Sequence, residues 1–232
     1  MENKRNFRIA DLMPAYSWAC LGLVFLSQSL VFWATRPILA HLTPLDLSTA
    51  LDGRIPFRPE WVSVYVLSFA SWIVTMVLLL RGQQKQTIYR NTAAYLCTLL
   101  LTLILFLTVP AAIARPEVPG RDFFSFLTRV VYFFDQPNNL FPSLHVVCSW
   151  YCWRVIDGTE TGVPRWYKWF NLIFFLLVCA SILFVKQHVA VDIPSGILVA
   201  EVPILLSRRF RWERAGLALE ARILGRRARK GQ

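Results

Sequence analysis

Charged residues are scarce in this chain. Asp, Glu, Lys and Arg make up 17% of its 232 residues, against roughly 25% in a soluble domain. Hydrophobic residues reach 56%, and the mean hydropathy is +0.46. Too little polar surface remains to coat a globule in water. That composition also excludes a disordered, collagenous or small disulfide-rich protein. Cysteine is sparse as well. Cys20, Cys97, Cys148, Cys152 and Cys179 all fall inside apolar runs, as small buried thiols do, and imply no disulfide framework. Cys148 and Cys152 share a helix face at i, i+4 but lack the further His or Cys of a zinc site. The chain has no internal repeat, no Gly-rich phosphate loop, no acidic metal cluster and no His-Glu-x-x-His helix.

Long apolar runs are what it does have. Residues 12–35, 61–80, 91–114 and 169–185 carry no charge, and a helix needs about 20 apolar residues to cross the hydrocarbon core. Two weaker stretches follow the same logic: 136–153, uncharged apart from His145, and 189–207, interrupted by Asp192 and Glu201. The reading is an all-α integral membrane protein, one polytopic domain with six transmembrane helices. The spans are placed at about 13–35, 61–80, 91–114, 142–156, 167–185 and 188–206, with a basic tail at 207–232. Nine Trp and seven Tyr suit the headgroup level, where amphipathic rings settle. Asp11 splits the basic start from an apolar run too long for a cleavable signal peptide.

Charge distribution sets the orientation. Six spans put both termini on one side, and with that side cytoplasmic the inner segments hold 18 of the 25 Lys and Arg. The outer segments hold Arg36, Arg54, Arg58, Arg115, Arg121, Arg129 and Lys186, balanced by seven Asp and Glu. The whole net charge of +11 therefore lies inside, as the positive-inside rule requires. Nucleic acid is not an expected partner. Membrane lipids are, and the tail reads as a positive anchor at an anionic leaflet. The expected location is the cell membrane.

Ionisable groups in membrane helices mark functional sites by default. They gather at the expected outer ends of helices, in Phe141-Pro142-Ser143-Leu144-His145 and in Lys186-Gln187-His188-Val189-Ala190-Val191-Asp192. In a helix His188 and Asp192, at i and i+4, share a face. A carboxylate beside an imidazole fixes which nitrogen holds the proton and frees the other as base or nucleophile. A second His from another helix supplies the opposite proton transfer. Pro142-Ser143 suits a helix start, where free N–H groups and a hydroxyl favour an anion. Lys186 and Arg115 add cations on the same side. With no metal or cofactor motif, phosphoryl transfer through a phosphohistidine is the chemistry these groups fit. The catalytic candidates are His145, His188 and Asp192; the phosphate-binding candidates are Ser143, Lys186 and Arg115.

Pro142-Ser143-Leu144-His145, followed by His188-x-x-x-Asp192, resembles the second and third motifs of the type 2 phosphatidic acid phosphatase superfamily. The likeness covers residues 135–196 and implies an acid-phosphatase-like helical bundle. It implies that His188 attacks phosphorus, that Asp192 orients it, and that His145 protonates the leaving alkoxide. Ser143 would hold phosphoryl oxygens. Two positions depart from the pattern. Thr108 stands where the first motif has Lys, ahead of Arg115-Pro116, and Ile182 stands where the third has Arg. The expected function is hydrolysis of a lipid phosphate or diphosphate on the extracytoplasmic face, without metal or cofactor. Three alternatives stay open. One is a transferase passing a phospho-headgroup to a lipid alcohol. Another is a non-catalytic lipid transporter or scaffold. The third is a zinc hydrolase using His145, His188 and Asp192.

Overall fold

Helices account for the regular structure of the described residues, apart from one isolated parallel bridge between Leu45 and Ala111. The computed structural model describes residues 12–156 and 163–230, the last seven by backbone alone. Lys4, Arg5, Arg8 and Asp11 of the expected inner N-terminus lie outside the described residues. The helices are α1 (Ala15–Leu39), α2 (Ala50–Arg54), α3 (Val62–Gly82, entered through a 3-10 turn Pro59–Trp61), α4 (Lys85–Thr108) and α5 (Phe123–Phe134). After these come α6 (Leu144–Val155), α7 (Arg165–Phe184), α8 (Asp192–Phe210) and α9 (Glu213–Lys230).

The bundle buries hydroxyls among its apolar core and turns aliphatic side chains outward. Thr75 and Thr98 are fully buried, whereas Leu26 and Leu198 are 60% and 61% exposed. Water would not tolerate so much exposed aliphatic surface, but lipid tails do, and interior hydroxyls then tie helices together. Thr75 hydrogen-bonds Tyr167 at 2.9 Å, and Ser17 donates to the Leu80 carbonyl at 2.9 Å. Four segments are long and apolar enough to cross a membrane: Ala15–Leu39, Pro59–Gly82, Lys85–Thr108 and Arg165–Phe184. The other two expected spans differ. α6 has 12 residues, about 18 Å of helix. It packs against α3, α4, α7 and α8 and buries nine of those twelve. α8 has 19 residues, about 28 Å, and Asp192, Glu201, Arg208 and Arg209 interrupt its apolar character.

Boundaries moved where proline or a turn intervenes. The expected span 91–114 begins earlier, at Lys85, and stops at Thr108. Pro110 cannot continue a helix and forces Val109 out of the helical region. Arg115 therefore lies in an extended loop and does not end the helix. The expected span 188–206 begins at Asp192, so His188 sits in a turn.

α5 fits an apolar surface. Asp122 caps it, accepting from the backbone N–H groups of Phe124 and Ser125. Its outer face carries Phe123, Phe126, Phe133 and Phe134, while Ser125 and Thr128 point inward. At the opposite end of the bundle, Arg154 forks onto Glu201 at 2.6 and 2.7 Å, and Trp150 donates to the same carboxylate. There α9 folds back on α4, with Lys85 paired to Glu220 at 2.5 Å.

α6 and α8 approach closely at Gly196. A Cβ there would stand 2.8 Å from Cγ1 of Val146. Gly196→Ala is expected to cost about 1–3 kcal/mol by overpacking and to lower the thermal unfolding midpoint in detergent. An unchanged midpoint would show that this contact does not set the α6–α8 distance.

Candidate active site

The end of α7 aims the site. The Gln187 N–H bonds the Ile182 carbonyl at 2.9 Å, and the Lys186 N–H bonds that of Leu183 at 3.2 Å. This paired closure ends a helix through a left-handed residue, here Lys186 at φ 55°. The chain reverses, delivers His188, and enters α8 at Asp192.

His188 is 7% exposed and Asp192 is fully buried. His188 Nδ1 lies 3.1 Å from Asp192 Oδ2 and 3.1 Å from the Leu140 carbonyl. Both neighbours are acceptors, so Nδ1 carries the proton and donates. In the neutral ring Nε2 is then the free lone pair, and it has no hydrogen-bond partner among the described residues. The Val189 N–H also donates to Asp192 Oδ2 at 3.1 Å, pinning that oxygen. The i, i+4 pair thus forms without a helix between its members.

His145, from the first turn of α6, faces His188 with ring centroids 6.1 Å apart. Packing holds it. Tyr65 stacks on the ring at 3.9 Å, and Phe69 and Trp72 flank it at 5.2 and 5.1 Å. These three sit at i, i+4 and i+7, one face of α3. Trp72 is fixed by donating to Ser149 at 2.8 Å, one turn along α6. His145 Nε2 is buried with no protein partner.

Both imidazoles line a cavity of about 340 Å³ between α1, α3 and the loop after α5. Phe25, Phe32 and Trp33 of α1 form one wall, and Asp135 and Asn139 close the loop side. Asn139 clamps that loop to α1 by donating to the Phe32 carbonyl at 2.8 Å and to Thr35 at 3.1 Å. Asp135 accepts a hydrogen bond from the Tyr65 hydroxyl.

The three expected phosphate-binding residues separate. Ser143 lies one residue before α6, its hydroxyl buried and unpartnered. Lys186 and Arg115 line a second, more open cavity of about 490 Å³ with Asp46 and Asp52. Lys186 Nζ donates to the Asp52 carbonyl at 2.7 Å, and the Asp52 side chain accepts from the Ala190 N–H at 2.7 Å. Burial pushes the Asp52 carboxyl up, but bonds from Thr49 and Ala190 and the charge of Lys186 outweigh it and hold it below the usual range. Arg115 donates to the Tyr132 carbonyl at 3.3 Å and lies 4.6 Å above the Tyr132 ring. Burial lowers its pKa, Asp135 raises it, and Arg36 lowers it further.

Sequence reasoning missed the aromatic wall around His145, the Asn139 clamp and the Leu140 carbonyl. The 65/69/72 spacing on α3 was the available signal for the first. The two departures from the family pattern also find their places. Ile182 is fully buried beside Val146, Val178 and Val185, a core position with no room for a cation. Thr108 turns its hydroxyl onto the Ile104 carbonyl of its own helix at 2.8 Å. Among the described residues no group of three or more His, Cys, Asp or Glu could hold a metal. Comparisons with protein-family models, curated proteins and solved structures find no match to this chain.

Proposed function

We propose that this chain is an integral membrane lipid phosphatase working through a phosphohistidine. The observation that carries the reading is the facing pair of imidazoles. One has its tautomer fixed by Asp192 and Leu140, and the other is 6.1 Å away along the wall of the same cavity. In the first half-reaction His188 Nε2 attacks phosphorus as the bond to the lipid oxygen breaks. The protonated His145 gives its proton to that oxygen. In the second half His145 takes a proton from water, whose oxygen displaces His188 from phosphorus. Inorganic phosphate leaves and both rings return to their starting states. Asp192 stabilises the cationic ring of the intermediate. The unpartnered Ser143 hydroxyl would hold a phosphoryl oxygen in this reading.

In this reading α6 and α8 complete a six-helix membrane bundle. Both termini are cytoplasmic and the imidazoles lie near the outer boundary. A phospho-headgroup transferase uses the same residues with a lipid alcohol in place of water. The test is a turnover assay of the full chain in detergent with phosphatidic acid and an isoprenoid diphosphate, with and without EDTA and diacylglycerol. Free phosphate that persists in EDTA is the expected product. A new phospholipid appearing only with the added alcohol would favour transfer, and no turnover of any substrate would contradict both.

A further inference from the structure

The turn that carries His188 is held from outside α7 and α8. A helix end leaves carbonyls without partners in its own helix, and here other elements supply them. The Phe184 carbonyl accepts from the Arg58 N–H at 2.9 Å, and Trp61 stacks on the Phe184 ring with centroids 5.0 Å apart. The Val185 carbonyl accepts from the Tyr132 hydroxyl of α5 at 2.6 Å. One residue, Asp52, then grips the chain on both sides of His188. Two positions before it, Lys186 Nζ donates to the Asp52 carbonyl at 2.7 Å. Two positions after it, the Ala190 N–H donates to Asp52 Oδ1 at 2.7 Å. Each of these bonds has an ionised partner, which makes it stronger than a neutral one.

Asp52 is itself fixed. It is 7% exposed, and its second carboxylate oxygen, Oδ2, accepts from the Thr49 N–H at 2.8 Å and from the Thr49 hydroxyl at 2.7 Å. All three Asp52 oxygens are therefore engaged, two with the His188 turn and one with the start of α2. Lys186 has its own mark of this arrangement. It holds φ 55°, where a helix end ordinarily places Gly and any side chain costs energy. A lysine there is accounted for by its ammonium acting as a strut to Asp52. Both residues line the second cavity and not the one beside the imidazoles.

Resting on the phosphoryl-transfer reading of the His pair, we propose that Asp52 is a positioning residue for the nucleophile. With Lys186 as its strut, it clasps the turn 186–190 and keeps His188 Nε2 aimed at phosphorus without touching substrate. The division of labour is plain in the contacts. Asp192 and Leu140 fix the proton of the His188 ring, and Asp52 fixes the backbone on which that ring stands. A reacting group misplaced by about 1 Å loses on the order of 10²-fold in rate, so a clasp on the backbone bears directly on turnover. Lys186 in this role serves the site as a brace and not as a phosphate ligand.

The test compares Asp52→Ala and Lys186→Met with the unaltered full chain in detergent, by steady-state turnover of phosphatidic acid and by amide hydrogen exchange read on peptides. Asp52→Ala should lower kcat about 10–100-fold with KM within about twofold. Exchange in the peptide covering residues 185–191 should quicken at least about 10-fold, while α3, α4 and α6 keep their rates. Lys186→Met removes the strut alone and should lower kcat by a smaller factor, about 3–10-fold, again at unchanged KM. Full kcat in Asp52→Ala, or unchanged exchange at 185–191, would overturn the clasp. So would a raised KM at unchanged kcat in Lys186→Met, which would put that ammonium on the substrate. Should Asp52→Ala fail to fold, unchanged kcat in Lys186→Met would overturn it equally. Faster exchange confined to 185–191, in a protein whose unaltered form turns over no lipid phosphate, would instead sink the catalytic reading and leave the clasp standing.

Discussion

His188→Ala is expected to lower phosphate release from a lipid phosphate by at least about 10⁴-fold, since removing a covalent nucleophile removes the reaction path and not merely a contact. The fold should survive. His188 lies in a turn whose course is set by the Lys186 closure of α7 and by Asp192 at the head of α8. Its ring contributes no bond to α6 or α7. Circular dichroism and size-exclusion behaviour in detergent should therefore match those of the unaltered chain. A well-folded His188→Ala protein that retains more than a tenth of its activity would refute the nucleophile assignment.

Asp192→Asn is expected to cost about 10²–10⁴-fold in kcat, for a reason visible in the hydrogen bonds. One carboxylate oxygen accepts from both the Val189 N–H and His188 Nδ1. An asparagine oxygen could accept both bonds, but it lacks the negative charge that holds that orientation and stabilises the cationic ring. If the amide NH₂ turns toward His188 instead, Nδ1 must accept, and the proton moves to Nε2, where it blocks attack. A wrong tautomer with unchanged geometry is enough to disable such a ring. The measurement is kcat alongside KM. A fall in kcat with little change in KM supports the tautomer role, whereas loss of substrate binding with unchanged kcat would contradict it.

The fold was legible where hydrophobicity alone decides. Three long helices, α1, α3 and α7, fall close to their expected spans because a lipid solvent asks only for length and apolar surface. Proline chemistry moved α4: Pro110 ends it before Arg115, and an uncharged run could not show that the last six residues are not helical. The short α6, Leu144–Val155, falls inside its expected span of 142–156, but its enclosure was not readable. It is enclosed by α3, α4, α7 and α8, so its apolar residues report burial in protein, which hydropathy cannot distinguish from burial in lipid.

The site divides in the same way. His188 and Asp192 were readable from local spacing, although the turn, not a helix, brings them together. The contacts of Lys186 and Asn139 were not readable. Lys186 is drawn to a carbonyl 134 residues earlier in the chain, a contact that only the folded loop of α2 creates. Asn139 reaches Thr35, 104 residues earlier in the chain. Long-range loop contacts leave no periodic trace in the sequence.

The most direct measurement is to trap the covalent state. The full chain in detergent is mixed with lipid phosphate labelled at phosphorus, quenched in alkali within milliseconds, and digested for mass spectrometry. Phosphohistidine withstands alkali, so label on the peptide carrying His188, absent in His188→Ala, is the predicted result. Turnover in the unaltered chain with label on another residue, or with no labelled protein at any time point, would contradict the account.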